Sequence, residues 1–187
     1  MSAPVPRLGI VTNDFPPRPG GIQQYLGSLV SAYPGEVTVL APRDGPAATP
    51  ATVIRHRHRF LWPTPKVLDW VTSELGNARV DAVLFGAPWP LAAMTGRLRR
   101  RLDRPIGVIG HGAEVTFPAA VPGLRSALRT SLEMPDVRFA VSRYTAAQIE
   151  RLTGRRVQYL GAGVDLDRFR PAPHATGSRP VVGCVSR

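Results

Sequence analysis

The sequence predicts an α/β domain, a parallel sheet with helices on both faces. Three observations lead there. Short runs of Val, Ile, Leu and Ala alternate with amphipathic stretches of helical length over about 160 residues. Most of the 18 glycines and 20 prolines fall between the apolar runs rather than inside them. Hydrophobic residues make up 43% of the 187-residue chain, enough for one core and against disorder.

The elements follow in order. Arg7–Thr12 reads as a buried strand, and Gly21–Ala32 as a helix with Ile22, Tyr25, Leu26, Leu29 and Val30 on one face. Val37–Ala41 and Val53–Arg57 are the next two strands. Lys66–Leu75 is helical, with Val67, Trp70, Val71 and Leu75 in a stripe. Ala82–Phe85 is a strand, Leu91–Leu102 a helix, Ile106–Ile109 a strand and Leu124–Leu132 a helix. Val137–Val141 is a strand that runs into a helix capped by Ser142, and Val157–Leu160 closes the series. Crossovers between such strands are right-handed, and ligands bind beyond the strands' carboxyl ends. The loops after strands therefore carry the functional reading.

After residue 170 the pattern changes. Residues 171–180 form a linker by composition, and 181–187 an apolar strand with no helix behind it. Residues 1–170 are thus expected to be one domain, and 181–187 either the opening strand of a second or an added edge strand.

Composition excludes several classes. One cysteine, Cys184, rules out a disulfide framework and a multi-cysteine zinc site. No apolar run approaches the ~20 residues that span a bilayer, and no long apolar stretch marks a signal peptide. The expected location is cytoplasmic. The net charge is +11, nearly all from arginine, since Lys66 is the only lysine. Such a charge fits a protein that approaches phosphates, or a genome that favours Arg codons. Nucleic acid is not an expected partner, because no aromatic interleaving or binding motif accompanies the charge.

Asn13–Gly21 joins the first strand to the first helix. Gly20 and Gly21 let the backbone approach a ligand, and the helix N-terminus offers free N–H groups to a diphosphate. A plain turn is the alternative, because G-x-G-x-x-G and G-K-[ST] are both absent. After the fifth strand, His111 stands between two glycines with Glu114 close enough to orient it or to touch a hydroxyl. The alternative is a histidine satisfied by loop carbonyls. Asn13, Asp14, the Phe85–Trp89 loop and His111 should meet at one rim. Trp89 suits either the face of a sugar or a staple at a helix start. Arg55–Arg59 alternates Arg and His; its H-x-H lacks nearby carboxylates or cysteines and reads as a solvated strand end, with no metal site. It leads into Phe60–Pro65, an apolar loop with little evident core role. Arg97, Arg99, Arg100, Arg101 and Arg104 cluster around one helix end. They read either as a contact for anionic lipid headgroups or as the solvated face of a core helix.

Val11–Ile22, Gly110–Val115, Val141–Thr145 and Gly163–Pro171, taken together and in this order, resemble the N-terminal half of retaining GT-B glycosyltransferases of family four. Among these the mannosyltransferases that build phosphatidylinositol mannosides are most similar. The resemblance runs from residue 7 to 187. It implies a Rossmann-like, acceptor-binding N-terminal domain, with the nucleotide sugar held mainly by a C-terminal domain supplied in cis or in trans. It implies that Gly20 and Gly21 meet the donor diphosphate, that His111 is the cleft histidine at the reacting centre, and that Arg187 begins the diphosphate-binding basic set. Asp14, with Gln23, Tyr25, Trp89 and Glu114, would lie near the acceptor. Where the family has His-Gly-His-Glu, this chain has His111, Gly112, Ala113 and Glu114.

The expected function is transfer of mannose or a related hexose from a nucleotide diphosphate sugar, GDP-mannose above all, to a lipid-linked or inositol-type acceptor. No metal is implied. The membrane contact would use Arg97, Arg100, Arg101 and Arg104 at the inner face of an anionic membrane. The half domain alone would be inactive. The alternative is a non-catalytic module that binds inositol phosphate or anionic lipid and pairs with a separate chain.

Overall fold

The computed structural model describes residues 4–164, 166–167 and 169–170. Its elements are β1 (Leu8–Val11), α1 (Gly21–Ala32), β2 (Val37–Ala41), β3 (Thr52–Arg55), α2 (Pro65–Asn77) and β4 (Ala82–Phe85). A 3-10 turn at Leu91–Met94 leads into α3 (Thr95–Leu102), followed by β5 (Ile106–Gly110), α4 (Ala113–Ala119) and α5 (Pro122–Glu133). Then come β6 (Val137–Ala140), α6 (Arg143–Thr153) and β7 (Gln158–Tyr159). The strands form one sheet in the order β3-β2-β1-β4-β5-β6-β7, and every pair is parallel. The α/β Rossmann-like class read from the sequence is the class observed.

Consecutive apolar residues feed opposite layers, which is why the strands are continuous apolar runs. Ile10, Val39, Leu84 and Ile109 pack with Leu26 and Val30 of α1 on one face. Val11, Leu40, Phe85 and Val108 pack on the other face against Val71 of α2, Leu98 of α3, Leu128 of α5 and Ile149 of α6. The chain runs outward in both directions from β1 and β4. The strand order reverses between them, and the crevice of a doubly wound sheet opens at that point.

Local chemistry sets the boundaries. Thr64 caps α2 by accepting from the Val67 N–H at 3.3 Å, with Pro65 in the first turn. Ser142 caps α6 by accepting from Thr145 N–H at 3.0 Å, as its sequence position implied. The helix stops at Gly154, whose φ of 66° suits a glycine C-terminus.

Several expectations need correction. The third strand stops at Arg55 rather than Arg57, because the chain turns there: His58 N–H donates to His56 Nδ1 at 3.1 Å. Arg55 is not a solvated arginine. Its guanidinium donates to the carbonyls of Pro16, Pro42 and Gly45, and burial lowers its pKa. The expected Leu91–Leu102 helix opens as a 3-10 turn, with Thr95 Oγ1 donating to Ala92 O at 2.6 Å. The loop after β5 gives way to a helix, α4, that periodicity did not reveal. The Phe60–Pro65 loop does have a core role: Leu61 is fully buried in the larger cluster. The linker at 171–180 and the strand at 181–187, with Arg187, lie outside the described residues.

Candidate functional site at the carboxyl rim of the sheet

The ends of β1, β4 and β5 and the start of α1 bring the polar residues together. At the end of β1, Thr12 Oγ1 accepts from the Asp14 N–H at 2.9 Å and donates to Asp14 O at 3.1 Å. This local turn lifts the chain off the sheet and presents Asp14 to the crevice. The neighbouring Asn13 is buried and faces the other way. Its Nδ2 donates to Leu61 O at 3.0 Å, and its Oδ1 accepts from the Leu61 N–H at 2.7 Å. One side chain thus satisfies both backbone groups of a buried residue 48 positions away.

Asp14 accepts from Gln23 Nε2 at 2.9 Å. Burial pushes its carboxyl up from the ordinary aspartate value, while His111 and Arg18 pull it down and Glu114 pushes it up. The four groups therefore share one electrostatic neighbourhood. Gln23 lies in the first turn of α1, and its carboxamide packs against Gly20, where a Cβ would fall 2.0 Å from Gln23 Oε1. Gly20 is the N-cap of α1, with no side-chain cap and no acidic residue in the first turn. The leading N–H groups of α1 and its partial positive charge are thus not matched by any acidic side chain. Gly21 is exposed, and a Cβ there would meet nothing within 4 Å.

His111 follows β5 and is half-buried. Its Nε2 lies 2.8 Å from Gly86 O, at the end of β4. A carbonyl only accepts, so Nε2 carries a proton. The imidazole meets the ring of Tyr25 edge-to-face, with centroids 5.2 Å apart and planes at 84°. Tyr25 stands one turn into α1 from Gly21, so the histidine and the glycine turn open on the same mouth. Glu114 Oε1 accepts from the backbone N–H of His111 and, at 3.1 Å, from that of Gly112. This carboxylate braces the backbone that aims the imidazole. Gly112 has φ +143°, which L side chains rarely adopt.

Thus Asp14, Gly20, Gly21, Gln23, Tyr25, His111 and Glu114 gather at one rim. Trp89 lies partly exposed in the loop after β4, between buried Pro88 and Pro90. The roles of two residues at the rim went unread in the sequence. Gly86 supplies the carbonyl that fixes the histidine ring, and a Cβ there would lie 2.7 Å from Thr12 Oγ1, so only glycine fits. Asn13 was placed at the rim, yet its grip on Leu61 has no local signal.

The arginine cluster at α3 sits elsewhere. The end of α3 leads through Pro105 into the start of β5, at the opposite end of the strands from His111. Arg99 pairs with Asp136 at 2.8 Å and Arg101 with Asp69, and Arg104 Nε donates to Val80 O at 3.1 Å. Arg97 and Arg100 are exposed on the same helix. Among the described residues no group of three or more His, Cys, Asp or Glu could hold a metal ion. No helix among them is long and apolar enough to cross a membrane.

The domain is thus doubly wound α/β, with a histidine, a carboxylate and an uncapped helix start at the carboxyl rim, the end of such sheets where ligands generally bind. Residues 19–168 match the model of Glycosyltransferase Family 4, and the chain belongs to that family. It is 38% identical to the GDP-mannose-dependent alpha-(1-6)-phosphatidylinositol monomannoside mannosyltransferase of Mycolicibacterium smegmatis, over 95% of this chain and 52% of that protein. The protein of that name from Mycobacterium tuberculosis is 36% identical, over 97% of this chain and 53% of the relative. A GDP-mannose-dependent monoacylated alpha-(1-6)-phosphatidylinositol monomannoside mannosyltransferase of Corynebacterium glutamicum is 32% identical, over 95% and 52%. The chain spans about half the length of the curated relatives it matches. Among solved structures, Anabaena Alr3699/HepE in complex with UDP-glucose superposes with a TM-score of 0.68 at 14% identity, over 90% of this chain and 47% of that one. A UDP-N-acetylglucosamine 2-epimerase from Rickettsia bellii gives 0.56 at 14% identity, over 84% and 45%. Both share the fold.

Proposed function

We propose that this chain is the acceptor-binding half of a retaining mannosyltransferase. It takes mannose from GDP-mannose and an inositol-lipid acceptor, at the cytoplasmic face of the membrane. The observation that carries the reading is the juxtaposition of His111, Asp14 and the uncapped start of α1. The names of the relatives supply the donor and acceptor classes.

In the proposed step the bond from the sugar's anomeric carbon to the diphosphate oxygen breaks. An acceptor hydroxyl oxygen bonds that carbon on the same face, and the hydroxyl proton ends on the departing diphosphate. The N–H groups at Gly20 and Gly21 meet the charge that builds on the diphosphate. His111, its ring fixed by Gly86 and Tyr25, lines the sugar at the reacting carbon. Asp14, held by Gln23, accepts from acceptor hydroxyls. Trp89 stands at the acceptor side, and Arg187 joins the diphosphate set when a nucleotide-binding domain closes over the rim. The transfer needs no metal in this reading, which rests on the family resemblance.

The test supplies the chain with a C-terminal nucleotide-sugar domain, GDP-mannose and a phosphatidylinositol monomannoside acceptor. Labelled mannose should pass to the lipid. His111→Ala should lower the rate by about two orders of magnitude or more, while Tm stays within ~3 °C. No transfer by the folded wild-type pair rejects the proposal. A large fall in Tm for His111→Ala would make the residue a packing element.

A further inference from the structure

Nine residues, Asn13–Gly21, carry the chain from β1 into α1, and three of them are proline. Proline has no N–H to donate. Among the described residues, no backbone N–H from Phe15 to Gly20 donates a hydrogen bond. Side chains hold this loop instead. Phe15 is buried in the smaller core cluster. Two arginines add the other ties. Arg55, half-buried at the end of β3, donates to Pro16 O, to Pro42 O at 3.4 Å and to Gly45 O at 3.3 Å. Arg18, half-buried within the loop, donates through Nε to Asp44 Oδ2 at 2.6 Å. Its Nη2 donates to Arg43 O at 3.4 Å and to Arg59 O at 3.3 Å. Asp44 Oδ1 accepts from the Gly45 N–H at 2.9 Å. The Gly45 N–H and the Arg18 guanidinium hold the Asp44 carboxyl below the ordinary aspartate value, so it is ionised at neutral pH. Arg18 also borders the cavity that Gly20, Gly21 and Gln24 line.

We infer that Arg18, Asp44 and Arg55 are positioning residues: their network ties the Pro16–Pro19 run to the connection between β2 and β3 and so sets where the Gly20–Gly21 turn stands in the crevice. An arginine that serves solubility keeps its donors in water. These two direct theirs at five carbonyls and one carboxylate. A guanidinium suits the task, because its donors fork in a fixed plane and one group reaches several acceptors. A lysine ammonium on its flexible stem does not reproduce that fork. A misplacement of about 1 Å by a change far from the chemistry can cost about 100-fold in rate, so ties remote from the reacting carbon act through the turn they hold. The inference rests on the proposed function in one respect, that the turn meets the donor diphosphate. The placement of the turn itself is independent of that reading.

Two measurements test it. In the reconstituted pair, Asp44→Asn and Arg18→Met should each lower kcat/KM for GDP-mannose at least about tenfold. The acceptor KM should move by less than about twofold, and Tm should stay within ~3 °C, because an ion pair this exposed adds little stability. Asp44→Glu keeps the charge and should recover most of the loss. Arg55→Lys should fall between the wild type and Arg55→Met. Hydrogen–deuterium exchange on the chain alone reads the turn without any substrate. The Gln24 N–H donates to Gly20 O at 3.0 Å in the first turn of α1. It should exchange several-fold faster in Asp44→Asn and in Arg18→Met, with α2 and α6 unchanged. Exchange at Gln24 that stays at the wild-type rate in both variants overturns the inference. So does an acceptor KM that rises in step with the donor loss, or exchange that quickens across the whole sheet, since the network would then serve the fold at large. If the wild-type pair transfers no mannose, the proposed function falls by itself, and the exchange at Gln24 still decides the positioning.

Discussion

The two ends of the sheet handle charge differently. At the amino end, arginines meet carboxylates in exposed pairs: Arg7 with Asp81, Arg99 with Asp136, Arg101 with Asp69. Such pairs are screened by water and each adds little. At the carboxyl end, beside an Arg18–Asp44 pair at 2.6 Å, polar side chains hold backbone. Asn13 grips Leu61, Glu114 braces His111 and Gly112, and His111 meets the carbonyl of Gly86. Asp14, whose carboxyl burial pushes above the ordinary aspartate value, is also there. Solubility is served at one end and orientation at the other. A formal charge count treats both ends alike and so says little about where chemistry occurs.

The widest test of that contrast is Asn13→Ala. It leaves a buried N–H and a buried carbonyl of Leu61 without partners, so unfolding free energy in urea should fall by about 2–4 kcal/mol. A loss below ~0.5 kcal/mol would mean the rim tolerates unpaired backbone, and the contrast would fail. Gly20→Ala comes next. Its Cβ lands on Gln23 Oε1 and forces the carboxamide away from Asp14. Transfer in the reconstituted pair should drop about tenfold, in acceptor KM more than in kcat. Gly21→Ala, with open space around its Cβ, should leave Tm unchanged.

Asp14→Asn should separate stability from function. Because burial raises the Asp14 pKa, the folded state favours the protonated form. Stability is therefore lost as pH rises through the ordinary aspartate value towards the raised one. The neutral amide escapes that loss, so Tm at neutral pH should rise by about 1–3 °C. The gain should vanish below the ordinary aspartate value, and transfer should fall. A lowered Tm at neutral pH would reverse the sign of the argument. The smallest effect belongs to the amino end: Arg101→Ala, which removes an exposed pair with Asp69, should leave the urea midpoint unchanged.

The sequence made the layers legible because buried parallel strands are continuous apolar runs and the helices between them keep a regular stripe. Leu26 and Val30 of α1, and Val67, Val71 and Leu75 of α2, are buried as their spacing required. The shared position of Asp14 and His111 was legible from topology, since both follow strands that run the same way, whereas Gln23 and Tyr25 were placed near them only by the family resemblance. Long-range contacts of single polar groups left no trace in the sequence. The bond from Asn13 to Leu61 spans 48 positions, and that from His111 to Gly86 spans 25. The helix after Gly112 was missed for a similar reason. Seven residues are too few for a periodic stripe, and its start is braced by Glu114 rather than by a Ser or Thr cap. The α3 arginines cluster in sequence, but a cluster does not say which end of a strand it will reach.

The grip of Asn13 on Leu61 has an engineering corollary. Anyone transplanting residues 56–64 between relatives must carry position 13 with them. Otherwise the grafted loop loses its hasp, and the acid next door loses its alignment.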